Sequence, residues 1–333
     1  MTDQHKQNLE DVFPDDLNKV DLKKTVRRAR RISVFRNVMI SVVVSIAVIG
    51  GGLFLNNELL AHTERNLRAA AFLDAETHQP DVFLGNSHTT YGLFGGQEQY
   101  QLFKVINGVP ISWGTETYSF NVLGQYSLMG GDYSPAPQLQ RPNGTRVYNY
   151  QTQQRLMEFY YPGVTYPHYF NDLSQLNEIP SGDSVEMAIS FEKSYTFNQV
   201  TAMLPTGVHT AWYWVDTYDN NTVQAMKQSP DTALMPYQVY GFGNQANPGD
   251  SVSRTPQFFI QLLQAGLKLK GVARDQYQQI FNVLSHGQGS ITPADVKIIG
   301  VVVTGTPHDL EALQGQKFVK ASVLGAIANP YHS

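Results

Sequence analysis

Between Val38 and Leu55 the chain runs for eighteen residues without a formal charge, interrupted only by Ser41 and Ser45. At ~1.5 Å per residue, a helix of that length reaches ~27 Å, close to the hydrocarbon thickness of a bilayer. No other feature restricts the chain as strongly. If the run is an anchor, the segments on its two sides lie in different compartments.

A cleaved secretory leader is the competing reading. Such leaders have an apolar core of about 7–15 residues, a short basic lead-in and a small-x-small cleavage site close behind. Here 37 residues precede the run, and Ala61, the nearest alanine after it, has Leu59 where a small residue is required. A buried helix of a soluble domain also fits poorly, because the run has no polar face. The run is therefore expected to be a retained single transmembrane helix, residues 38–55.

Lys23, Lys24, Arg27, Arg28, Arg30, Arg31 and Arg36 all precede it, and no acidic residue lies between Leu22 and Arg36. Positive flanks remain in the cytoplasm. Residues 1–37 are thus expected inside and residues 56–333 outside, in a single-pass cell-membrane protein with a cytoplasmic N-terminus. Residues 1–36 carry a net charge of +3 and the remainder −7. The acidic outer part gives no reason to expect nucleic acid. The basic run beside the membrane is better suited to anionic lipid headgroups than to DNA.

The outer 278 residues can bury a large core and contain no cysteine, so neither disulfides nor thiolate chemistry is available. A secreted domain that rests on packing alone suits a bacterial envelope. The fold class expected is α+β: a β-rich region over 79–180, after a helical stalk over 56–78, and a second α+β domain over 181–333. In the stalk Leu59, Leu60, Leu67 and Phe72 are the apolar residues. Asn107-Gly108 between two apolar runs signals a hairpin. Residues 130–145, rich in Gly, Pro and Asn, read as a loop, and the aromatic tract 155–170 as sheet packing.

SVEMAISF (Ser184–Phe191) alternates like a half-buried strand. Thr196 and Gln199 have capping-box spacing ahead of a short helix, and the strand VHTAWYWVDTY comes next. VKIIGVVVTG, a helix capped by Thr306 with Asp309 at the third position, and KFVKASVLGAI repeat that order. Two β-α-β units suggest a split βαβ, ferredoxin-like sheet with helices on one face. TPQFFIQLLQAGLKLKG and ARDQYQQIFNVLSHG read as two inserted helices.

The inner segment is too short to build a core. Leu9, Phe13, Leu17 and Val20 fall at i, i+4, i+8 and i+11, one face of a helix starting near Pro14. Such a tail, helical or disordered alone, can fold into a partner's groove, or serve as a plain spacer. Ser41/Ser45 and Ala47/Gly51 are small-xxx-small pairs that permit contact with a second copy or another membrane protein.

No catalytic or metal-binding pattern emerges. The nine histidines form no HExxH, and His168 in the Tyr-rich tract reads as a packing or surface residue. Ser87-His88 and Ser285-His286 are adjacent in sequence only. Gly92, Gly95 and Gly96 mark a turn, and Asp216, Asp219 and Asp231 read as solvated loop carboxylates. Neither a cofactor nor a metal is expected.

Several segments, in order, resemble the sigma factor regulator family, membrane-bound anti-sigma factors of Gram-positive bacteria. They are KKTVRRARRISVFRNVMISVVVSIAVIGGG, VPISWGTETYSFNV, EFYYPGVTYPHYFNDLSQL, MAISFEKSYTFNQVTAMLP with AWYWVDTY, and IIGVVVTGTPHDLEALQGQ with SVLGAI. The resemblance implies that the inner segment holds an extracytoplasmic-function sigma factor at the membrane and that the outer part responds to envelope stress. It supplies no catalytic residues. The apolar spacing, rather than the resemblance, assigns Leu9, Phe13, Leu17 and Val20 to the sigma contact. A structural envelope subunit and a membrane-anchored cell-wall enzyme are the alternatives.

Overall fold

The computed structural model describes residues 18–130, 137–141, 144–230, 233–245 and 253–331. The chain divides into two compact units, Met1–Glu58 and Leu59–Ser333, with helix α1 (Asn18–His78) beginning in the first and ending in the second. Leu9, Phe13 and Leu17 lie outside the described residues, as do Pro14 and the side chain of Val20.

In the first unit every described residue is α-helical, and the seven basic residues of the flank, Lys23 to Arg36, are exposed. The apolar stretch reaches a mean hydropathy of 2.5 over eighteen residues, long and apolar enough to cross a membrane. The three glycines 50–52 do not interrupt the helix.

In the second unit the remaining turns of α1 are more than a stalk. Leu60, Leu67 and Ala71 are buried against Tyr100, Leu102, Trp113 and Phe120. Leu59 and Phe72 stay exposed. The wall they meet is an antiparallel meander of β1 (Phe83–Tyr91), β2 (Gly95–Ile106), β3 (Val109–Asn121) and β4 (Tyr126–Gly130), in that order. Asn107 and Gly108 have φ of 49° and 86°, as the twist-matched two-residue hairpin between β2 and β3 requires.

The stretch expected to be a loop over 130–145 contains a strand. β5 (Gln138–Arg141) pairs antiparallel with β6 (Gly144–Val147). Gly, Pro and Asn dominate the composition of 130–145, and the two four-residue strands are too short to outweigh them.

The second sheet is built from β7 (Ser184–Tyr195), β8 (His209–Val215), β9 (Gly241–Gly243), β10 (Ile298–Gly305) and β11 (Val319–Ala328), in the order β11-β7-β10-β8-β9 with antiparallel pairing throughout. α2 (Phe197–Met203) follows β7, α3 (Asn220–Gln228) follows β8, α4 (Pro256–Gly266) and α5 (Gly271–Ser285) precede β10, and α6 (Pro307–Glu311) follows it. Both expected capping boxes form, Thr196 with Gln199 and Thr306 with Asp309. One face of the sheet, with Met187, Ile189, Val301 and Val303, packs on Val200, Phe259, Leu263, Ile280 and Leu310 of the helices.

The other face overturns the half-buried reading of β7, since Ser184 to Phe191 are buried on both sides. The aromatic tract covers it: Phe159, Tyr160, Tyr166 and Phe170 lie on Trp212, Trp214, Val302 and Val323. On this face Ser190 Oγ accepts the Tyr160 N–H of the lid at 2.9 Å. Lys320 ties the tract down by donating to the carbonyls of Tyr161, Pro162 and Val164 at 3.1, 2.8 and 2.6 Å.

β11 lies at the sheet's edge. Its outward N–H groups at Ser322 and Leu324 bond to the Phe170 carbonyl at 3.0 Å and to Asp172 Oδ2 at 2.8 Å. Its register against β7 slips between Leu324 and Ile327, opposite Val185 to Met187.

Candidate functional site

The residues that set this molecule apart are charged groups inside the second unit. β2 alternates with Glu98, Tyr100, Leu102, Lys104 and Ile106 all on the buried face. Two charges are thus carried inward in phase with apolar neighbours, and each must find a partner or incur a large desolvation cost.

Glu98 finds α1. Arg68 Nε lies 3.0 Å from Glu98 Oε1, while its Nη2 donates to Glu64 at 2.5 Å. Glu64 also accepts from Thr89 at 3.2 Å and from the Tyr91 hydroxyl. That last bond, with burial and the acid's charge behind it, raises the Tyr91 pKa.

Lys104 finds the second sheet. Its Nζ donates to Glu186 Oε1 at 2.7 Å, with both side chains buried, and stands 4.1 Å from the Trp113 ring centroid. Glu186 Oε2 accepts the Ala326 N–H at 3.1 Å, in the slipped stretch of β11. Gly325 leaves the room for this, because a Cβ there would sit 2.5 Å from Glu186 Oε2.

Asp81 adds a second carboxylate. It is buried, has φ of 58°, and its Oδ2 has no hydrogen-bond partner. Burial raises its pKa well above the ordinary range, the charge of Glu186 adds to this and Lys104 opposes it. A lysine facing two acids leaves one proton's worth of charge to be taken up.

The end of α1 is keyed to the same region. Gln79 donates to Asp74 at 3.0 Å and to Glu116 at 2.7 Å, and Glu116 also accepts the Tyr118 hydroxyl at 3.0 Å. Thr77 and Tyr277 hydroxyls are 3.1 Å apart, His78 stacks on Tyr240 at 4.3 Å, and Arg254 pairs with Glu76. Glu76, Gln79, Asp81, Phe103, Trp212 and Arg254 line a cleft of about 130 Å³ here.

Another buried pair lies under the aromatic tract. Arg146 pairs with Asp172 and covers the Phe170 ring at 3.4 Å. Nearby, burial pushes Glu158 up to about 7; Arg146 opposes the shift and Asp172 adds to it.

The residues considered for chemistry are scattered. His88 and His168 are exposed, and His286 ends α5 in a left-handed conformation. Asp219 caps α3 through Thr222, which lowers its pKa, and Asp231 lies outside the described residues. Asp216 departs from its expected solvation: it is partly buried, accepts from the Tyr161 hydroxyl at 3.3 Å, and has its pKa raised by burial. Among the described residues, no group of three or more His, Asp or Glu side chains is placed to hold a metal.

An apolar helix of spanning length that continues into a mixed helix-and-sheet unit is consistent with a membrane-anchored regulator. The comparisons specify the class. The sigma factor regulator N-terminal family matches residues 23–111, and the sigma factor regulator C-terminal family matches residues 176–326. The chain belongs to the sigma factor regulator family, which is regulatory rather than catalytic. Its domains support an anti-sigma factor role, with a sigma factor as partner. Neither a curated protein sequence nor a solved structure matches the chain.

Proposed function

We propose that this protein is a single-pass anti-sigma factor that holds an extracytoplasmic-function sigma factor at the inner membrane face and releases it under envelope stress. The observation that carries this reading is the pair of family matches in order, the first spanning the basic flank and the apolar run. Residues 1–37 face the cytoplasm because seven basic residues precede the run. Leu9, Phe13, Leu17 and Val20 form the apolar stripe that grips the sigma factor. The outer part is the receiver, and its 181–333 portion is a split βαβ, ferredoxin-like domain with inserted helices. The strand order and the two capped β-α-β units support that assignment.

Capture of a sigma factor from solubilised membranes by the full chain, lost when residues 1–36 are deleted, tests the central claim. Phe13→Asp and Leu17→Asp are each expected to reduce capture, since a charge replaces an apolar contact. No sigma factor recovered by the full chain would count against the reading. Labelling with a membrane-impermeant reagent, expected at the C-terminal part of intact cells and not at residues 1–37, tests the orientation separately.

A further inference from the structure

Two turns of the meander carry apolar side chains into solvent. The β1–β2 turn exposes Leu93 by 66% and Phe94 by 62%, and the β3–β4 turn exposes Leu123 by 79%. They are one feature: the Val122 N–H donates to the Phe94 carbonyl at 3.1 Å, joining the turns side by side. Isolated exposed leucines are ordinary, but three large apolar groups on adjoining tips form a patch that calls for a partner.

The sequence around them is free of charge. Residues 89–97 and 117–130 contain no Asp, Glu, Lys or Arg. A protein surface is commonly met by polar and charged rims; a charge-free apolar tip is suited to a boundary where charged groups would lose hydration.

The place of the tips in the fold selects the partner. From Phe83 to Tyr91, β1 returns alongside α1, and its last residue bonds to Glu64, close to the start of the second unit at Leu59. Both turns lie at that same end. Leu59 comes four residues after the apolar run ends at Leu55. Four residues reach at most ~14 Å even when fully extended, so the tether by itself keeps Leu59 within reach of the headgroup layer, ~5–7 Å deep on each side of the hydrocarbon.

We propose that Leu93, Phe94 and Leu123 form a membrane-docking tip that rests in the lipid interface of the bilayer crossed by residues 38–55. The tip gives the second unit a lipid contact of its own in addition to its covalent tether. This rests on the anchored reading of the apolar run, and the experiment separates the two.

The natural chain lacks cysteine, so single-cysteine variants carry one label. The full chain is reconstituted in phosphatidylcholine–phosphatidylglycerol vesicles with an environment-sensitive fluorophore at Leu93→Cys, Leu123→Cys, Val44→Cys or Val272→Cys. Val272 is exposed on α5, the helix that meets the end of α1 at Thr77, and reports water. The expected result is blue-shifted emission at positions 93 and 123, quenched by headgroup-level nitroxide lipid, with neither effect at 272. Emission at 93 and 123 like that at 272, with deep quenching at 44, overturns the docking tip and leaves the anchor standing. A blue shift without lipid quenching shows a protein-covered patch and also overturns it. Absence of deep quenching at 44 overturns both.

Discussion

The meander and the five-stranded sheet solve the same burial problem in opposite ways. The sheet is lined by apolar groups on both faces, around Met187, Ile189, Trp212, Trp214 and Val302, and packing is the larger part of what holds it. The meander turns Glu98, Lys104 and Glu116 inward and matches each to a group on another element. An apolar contact tolerates many neighbours, whereas a buried charge accepts few. The charged side of the comparison therefore fixes how elements are assembled, and the apolar side supplies most of the burial.

The largest expected effect breaks the pair that joins the two. Lys104→Ala strands Glu186 in an enclosed site and should cost about 3–5 kcal/mol in chemical denaturation of the full chain in detergent. Replacing both partners, Lys104→Met with Glu186→Gln, should recover much of that loss, because the penalty belongs to the uncompensated charge. If the single and double variants are equally unstable, the pair acts only by filling space and the contrast fails.

On the apolar side, Met187→Ala should cost about 2–5 kcal/mol, through lost transfer energy and the cavity left between sheet and helices. No partner substitution of the kind that rescues Lys104→Ala is expected to exist for it.

The pH dependence sharpens the same contrast. Glu158 titrates near 7 when folded, whereas a free glutamate titrates near 4.3. Between those values the folded protein holds a proton that the unfolded chain has lost. Stability is thus fully present below about pH 4.3 and falls as pH rises towards 7, with a slope of up to about 1.4 kcal/mol per pH unit from this group. Glu158→Gln should remove that component, which denaturation at a series of pH values would show. An unchanged slope would assign it to another acid; Asp81, shifted in the same direction, is the next to substitute.

The smallest effect is local. Thr306→Ala or Thr196→Ala removes a cap seen at the start of each short helix and should cost about 1 kcal/mol; only Thr306→Ala should also change the acid limb of the pH profile, because the Thr306 hydroxyl holds the Asp309 pKa down.

Much of this architecture was legible in sequence because its signals are short-range. The apolar run, the Asn107-Gly108 hairpin, the two capping boxes and the inserted helices each declare themselves within a few residues. The buried charges did not. Glu186 alternates with Met187 and Ile189 as a solvent-facing residue would, and only segments remote in sequence, Lys104 of β2 and the aromatic tract, cover that face and reverse the reading. Its partner Lys104 is 82 residues away, a distance no local pattern spans. A signal did exist in β2, where Glu98 and Lys104 fall in phase with Tyr100, Leu102 and Ile106. A charge in register with an apolar stripe predicts a buried pair without naming the partner. The pairing of β5 and β6 was hidden for a simpler reason: each strand has four residues, and the Gly, Pro and Asn around them outweigh them in composition.

The last strand carries a final consequence. A sheet border normally offers a row of open donors and acceptors to any extended chain that passes, including a second copy of the same protein. At β11 the donors of Ser322 and Leu324 are already taken by Phe170 and Asp172, and the slip beside Gly325 breaks the ladder further along. The polar groups that orient the interior thereby close this border to strand addition, a safeguard against self-templated aggregation in a sheet so thoroughly apolar.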